Sequence, residues 1–156
     1  MTQIKHSIGG RHVAFEIWDV GASGILVDVL GELLQRPAEG NRLRWSIFDL
    51  EWVQEPNGIL HAERVTARSQ IRPGGLRLDE HGIRLFHEYT VQIINGTFFA
   101  ADKHVEWPQS SAFRSAVVRS RIALQVVDST YWYFSCSDGD FARAFAATFS
   151  DCRNRS

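Results

Sequence analysis

The chain has 156 residues, of which 44% are hydrophobic and 22% charged, with 17 basic side chains against 18 acidic ones. That balance suits a single domain over residues 1–156 with a core of its own, and it excludes a disordered polyelectrolyte and a membrane span. A formal net charge of -1 offers no bulk attraction to a phosphate backbone, so nucleic acid is not an expected partner.

Met1 to Gly10 holds no long apolar segment, so it does not read as a secretory signal and a cytoplasmic location is expected. From His12 to Trp18, Val13, Phe15 and Ile17 alternate with polar or small neighbours, the period of a half-buried strand. Between Gly24 and Arg36, Ile25, Leu26, Val29, Leu30, Leu33 and Leu34 share one helical arc, and Pro37 and Gly40 end it. Arg42 to Val53 switches parity, with Leu43, Trp45 and Ile47 followed by Phe48, Leu50 and Trp52, which predicts a strand with a bulge or bend. Asn57-Gly58 then predicts a hairpin setting Glu51 opposite Arg64, Leu50 opposite Val65 and Phe48 opposite Ala67.

Ser69 to Gly75 reads as a loop, Leu76 to Leu78 as a short strand and Asp79 to Gly82 as a turn. Tyr89, Val91 and Ile93 alternate, and Asn95-Gly96 predicts a second hairpin pairing Ile93 with Phe98 and Val91 with Ala100. Ser110 or Ser111 suits the cap of a short helix over 112–115. Ile122, Leu124 and Val126 then form one side of a strand, and a two-residue corner at Asp128-Ser129 sets Tyr131 opposite Val126 and Tyr133 opposite Leu124. Ser137 or Asp138 caps a closing helix whose Phe141, Phe145 and Phe149 make one stripe, with Cys152 on the same side. The expected fold is α+β and two-layered, a mostly antiparallel sheet of about six to eight strands with two main helices packed on one side.

Chemistry-specific motifs are missing: the chain has no phosphate loop, no HExxH and no Gly-x-Ser-x-Gly elbow. His61 and Glu63 would point the same way from a strand, which makes them the pair to consider for proton transfer, but no catalytic residue is assigned. His81 and His87 lack zinc spacing, so no metal or cofactor is expected, and Cys136 and Cys152 read as reduced thiols. Apart from Lys5 and Lys103 every basic residue is arginine, and arginine with Trp and Tyr is favoured at binding hot spots. The candidate partner-binding residues are therefore Trp107, Arg72, Arg77, Trp52 and Arg68. A sheet with uncovered edges also leaves a homodimer open.

Val127-Asp128-Ser129-Thr130-Tyr131-Trp132, the acid that follows and the Phe-rich last helix resemble the C-terminal end of small uncharacterised bacterial α+β proteins. Phe15-Glu16-Ile17, the Leu-rich helix and Trp45-Ser46-Ile47 are similar to their N-terminal end. In size and style the chain also resembles immunity proteins, which protect bacteria from toxins of neighbouring cells. That resemblance implies a protein that binds another protein, a toxin domain, and occludes it without catalysis.

Overall fold

A computed structural model of the chain describes residues 12–36, 42–56 and 61–155. Seven strands and five helices are seen among them: β1 (Val13–Ile17), α1 (Val29–Leu34), β2 (Arg44–Gln54), α2 (Ala62–Ser69), β3 (Leu76–Leu78), α3 (Glu80–Glu88), β4 (Thr90–Ala101), α4 (Phe113–Arg119), β5 (Ile122–Val127), β6 (Tyr131–Cys136), α5 (Gly139–Ala146) and β7 (Cys152–Asn154). The fold is α+β. Its sheet is antiparallel throughout and runs in the order β3-β2-β4-β5-β6-β1-β7, so the first strand lies between two of the last.

Alternation divides the sheet into two faces. Trp45, Ile47, Phe98, Leu124, Trp132 and Phe134 point to the larger core, where they meet Leu30 and Leu33 of α1, Val65 of α2, Phe86 of α3 and Phe145 of α5. Phe48, Phe99 and Ala123 point the other way and are covered by Ala116 and Val117 of α4 with Val105. The bulge expected in β2 is present between Phe48 and Glu51, with Asp49 at φ 54°. This one extra residue returns Leu50 and Trp52 to the larger core after Phe48 has faced away.

Neither Asn-Gly hairpin directs the fold as expected. Asn57 and Gly58 lie outside the described residues, and the partners assigned to β2, Arg64, Val65 and Ala67, are in α2. The run 62–69 is made of good helix formers, and Ala62, Val65, Thr66 and Ser69 turn inward at helical spacing while Glu63, Arg64, Ala67 and Arg68 are exposed. Asn95-Gly96 sits inside β4, which continues unbroken between β2 and β5. A Cβ on the buried Gly96 would come 3.2 Å from Leu50 Cδ1, so this glycine serves close packing. The segment read as a turn before Tyr89 is α3, capped by Asp79 Oδ1, which accepts from the Gly82 N–H at 2.8 Å, and it buries Ile83 and Phe86.

The hairpin β5-β6 forms, with a register one residue away from expectation. The connection spans Asp128, Ser129 and Thr130, with Asp128 and Ser129 at positive φ, so Val126 faces Trp132 and Leu124 faces Phe134. A slip of one residue exchanges the faces of a strand, and it puts Trp132 and Phe134 in the core in place of the tyrosines. Helix α1 is shorter than its apolar arc, because Asp28 caps it and residues 20–27 form a loop closed by a Val20–Leu26 bridge. Helix α4 starts after Ala112 without a side-chain cap.

Asp138 caps α5 as expected, and Phe141 stacks on Phe145 at 5.9 Å while Phe149, just past the helix, meets Phe145 edge-on at 5.3 Å. Cys152, however, belongs to β7 opposite Ile17, with β1 between it and Cys136, and neither sulfur is in a disulfide.

One buried side chain ties α2 to the sheet. Ser69 Oγ donates to the Thr66 carbonyl at 2.6 Å and accepts the Leu50 N–H at 3.1 Å, where the bulge leaves that amide without a ladder partner. Ser69→Ala is expected to cost about 1–3 kcal/mol by orphaning a buried N–H, read as a lower urea midpoint at unchanged m.

Candidate functional site

The five residues singled out from composition separate into two groups. Trp107, Arg72 and Arg77 gather around the segment 102–112 on the smaller-core side. Trp52 lies on the opposite face, its ring 4.8 Å from Phe86 and its Nε1 donating to Thr66 Oγ1 at 3.2 Å, and Arg68 is exposed on α2. Trp107 contacts Phe48, Phe99 and Phe113 at 5.6 to 5.8 Å, and the Arg72 guanidinium stacks 4.1 Å from its ring while bonding Asp49 at 2.8 Å. These two side chains close the edge of the smaller core. Arg77 is about half exposed and pairs with Glu106 at 3.3 Å.

The same sheet face continues beyond α4. Following the ladder across, Thr97, Gln125, Tyr133, Glu16 and Arg153 stand side by side, and Tyr131 with Trp18 forms the next row. Trp18 and Tyr131 belong to neither core, and their rings stack 4.7 Å apart at 21°. The Arg153 guanidinium lies 4.3 Å from the Trp18 ring, and Trp18 Nε1 donates to Glu16 Oε1 at 3.2 Å. Glu16, only 12% exposed, also pairs with Arg155. Gln125 Nε2 donates to Thr97 Oγ1 at 3.1 Å, which fixes the polar centre of the row.

Comparisons with protein-family models, curated proteins and solved structures found no match for this chain. The chemistry of the site must therefore be judged from its own residues.

Trp18, Tyr131 and Tyr133 were missed by sequence reasoning because the tyrosines had been assigned to the core side. The signal was available in the turn: Asp and Ser tolerate positive φ, and a longer connection would have put Trp132 and Phe134, the more apolar pair, inward.

Several titratable groups hold elements together. His61 and Glu63 sit exposed at the start of α2, so the shared strand face expected for them does not exist. His87 Nε2 meets Asp28 Oδ2 at 2.5 Å. The Asp28 bond and, less strongly, its charge raise the His87 pKa against the opposing effect of burial. Burial raises that of Asp28, but the His87 bond, the Gly31 N–H and the imidazole charge together leave it lowered. Burial first, then Asp19 and Asp151, push the Cys152 thiol up, which keeps it protonated and a poor nucleophile. Among the described residues no cluster of three or more His, Cys, Asp or Glu is placed to hold a metal ion, and no helix is long and apolar enough to cross a membrane.

An open groove of about 700 Å³ runs between α5 and the β1-β7 edge, with Phe15, Phe149 and Cys152 as its apolar wall and Arg143 at its side.

Proposed function

We propose that this chain is a non-catalytic protein-binding protein of the immunity type, working in the cytoplasm and neutralising a toxin domain by covering it with the uncapped half of its sheet. The observation that carries this reading is the Trp18, Tyr131 and Arg153 stack, held in place by Glu16 on a face outside both cores. Trp and Tyr bring large contact area with few rotors to freeze, and Arg153 is already stacked on Trp18; all three residue types are enriched at hot spots. Tyr131 and Tyr133 are anchored by the backbone of β6, and the Trp18 backbone N–H donates to the Asp151 carbonyl at 2.8 Å, so the surface is organised before a partner arrives.

Affinity capture from the source organism's lysate, run beside the Tyr131→Ala and Arg153→Ala variants, tests the proposal. The expected result is one stoichiometric protein retained by the native chain, with Kd raised roughly 10- to 100-fold by each substitution. Melting temperatures should fall by only a few degrees, roughly, because neither residue belongs to a core. A partner held equally well by both variants would remove the site from this face. Absence of any stoichiometric protein would count against the binding reading itself.

A small-ligand domain is the second reading, favoured by the groove beside α5. A metabolite that raises the melting temperature of the native chain but not of Arg143→Ala would support it.

A further inference from the structure

Helix α1 has six residues, too few to be stable on local hydrogen bonds, so its position depends on what holds its ends. Its N-terminal end is held by one carboxylate acting in two directions. Asp28 Oδ1 accepts the Gly31 N–H at 2.8 Å, completing the cap, and Oδ2 takes His87 Nε2 at 2.5 Å from the last turn of α3. The C-terminal end of α3 favours a cation there, so the helix itself supports the imidazolium.

Space is reserved for this contact. A Cβ on Gly31 would collide with Asp28 Oδ2 and come within 2.6 Å of His87 Nε2, and Gly31 is buried. Glycine in mid-helix is less favourable than alanine, so its presence in so short a helix coincides with room for the pair.

Behind the pair is a cavity of about 60 Å³, walled by Leu26 and Val27 of the loop before α1, by Thr90, Gln92 and Ile93 of β4, and by Trp132 of β6. Trp132 Nε1 donates to the Val27 carbonyl at 2.7 Å, so the loop is pinned on both sides of the cavity, by the indole and by His87. Asp28 and His87 are the titratable groups in this lining, and β4 and β6 offer only neutral side chains. On the helices themselves, Arg84 of α3 is paired with Glu80, while Glu88 of α3 is exposed and Glu32 lies in the first turn of α1.

We propose that Asp28 and His87 form a proton-operated latch between α1 and α3, closed by the imidazolium, whose release frees the 25–28 loop and opens the cavity to solvent beside Trp132. His87 has its pKa raised above the ordinary 6.5, so the latch contributes fully below about that pH and weakens as pH rises through the folded value. Asp28 is lowered from 3.8, so the contribution is present above that pH and fades as pH falls through its folded value. The latch is therefore strongest between these two limits and opens as pH rises through the folded His87 value.

The test is an NMR titration of the His87 ring in the full chain, with amide exchange of Leu30 to Leu34 followed at pH 5.5, 7 and 8.5 and expressed as protection factors. His87 is expected to titrate above 6.5, and α1 protection should drop roughly threefold to tenfold across the range while β5 and β6 amides hold theirs. Gly31→Ala should return the His87 titration to its ordinary position, and His87→Gln should remove the pH dependence of α1. Should His87→Gln fail to fold, Asp28→Asn provides the same reading through the His87 titration. A native His87 pKa at or below 6.5, α1 protection independent of pH, or a pH slope unchanged in His87→Gln would each overturn the latch.

Discussion

Replacing Trp107 with alanine is expected to lower the unfolding free energy by about 3–5 kcal/mol, the loss typical of a large aromatic removed from a packed site. The indole closes the edge of the smaller core, with Phe48, Phe99 and Phe113 all within 5.8 Å and the Arg72 guanidinium 4.1 Å from its face. Its Nε1 donates to the Ser111 carbonyl at 3.0 Å, a bond alanine cannot make. Among the described residues, α4 and the 102–112 segment cover this core, so the neighbouring elements have few ways to close the hole. Arg72→Ala should cost less. Its Nη2 pairs with the half-exposed Asp49, but Nη1 is buried without a hydrogen bond, so truncation also removes an unsatisfied donor. Urea unfolding of the two variants separates these effects; a Trp107→Ala midpoint equal to that of the native chain would mean that the ring is a free anchor.

Gly75→Ala should be nearly as damaging, by about 3 kcal/mol or more. Gly75 has φ 64°, a conformation that costs a residue with a Cβ roughly 1–2 kcal/mol. The added Cβ would also lie 2.7 Å from the Ile47 carbonyl oxygen and 2.8 Å from Phe48 Cε1. Neither neighbour moves easily, since Ile47 is paired with Leu76 across β2-β3 and Phe48 is fully buried. Gly74→Ala is the control: its Cβ would meet only the Arg77 side chain at 3.4 Å or more, and its φ is not positive. The control should remain within about 1 kcal/mol of the native chain in thermal unfolding, as surface substitutions usually do. Equal melting temperatures for the two variants would contradict this account of the turn.

The candidate site shows where local reasoning lost its way. The sequence places Trp18 at the end of a strand and sets Tyr131 and Tyr133 opposite Val126 and Leu124, and nothing local brings the three together. Trp18 and Tyr131 are 113 positions apart in sequence and meet only because β1 inserts between β6 and β7. The alternating aromatic run of β6 is equally consistent with either face inward. Turn length decides between them, and the Thr130 N–H bond to the Val127 carbonyl at 2.9 Å is what sets it. Trp107 is the opposite case: a Trp-Pro pair in a polar segment reads either as a cover for the core edge or as an exposed anchor, and the ring packs against Phe48, Phe99 and Phe113 at the edge of the smaller core.

By itself the sequence determined the α+β character, the strands at 13–17, 76–78 and 122–127, the bulge in β2 and the capped closing helix with its phenylalanine stripe. Each rests on forces acting within a few residues: alternation, helical spacing, and a side chain reaching its own backbone. Tertiary structure alone decided that Asn95-Gly96 continues a strand, that 62–69 coils into a helix, and that Trp132 faces the core while Tyr131 does not. In these cases local preferences are nearly balanced, and burial against distant partners tips them. Gly96 is committed by Leu50 and Phe98, Val65 by the larger core, and Trp132 by a carbonyl 105 positions away in the chain.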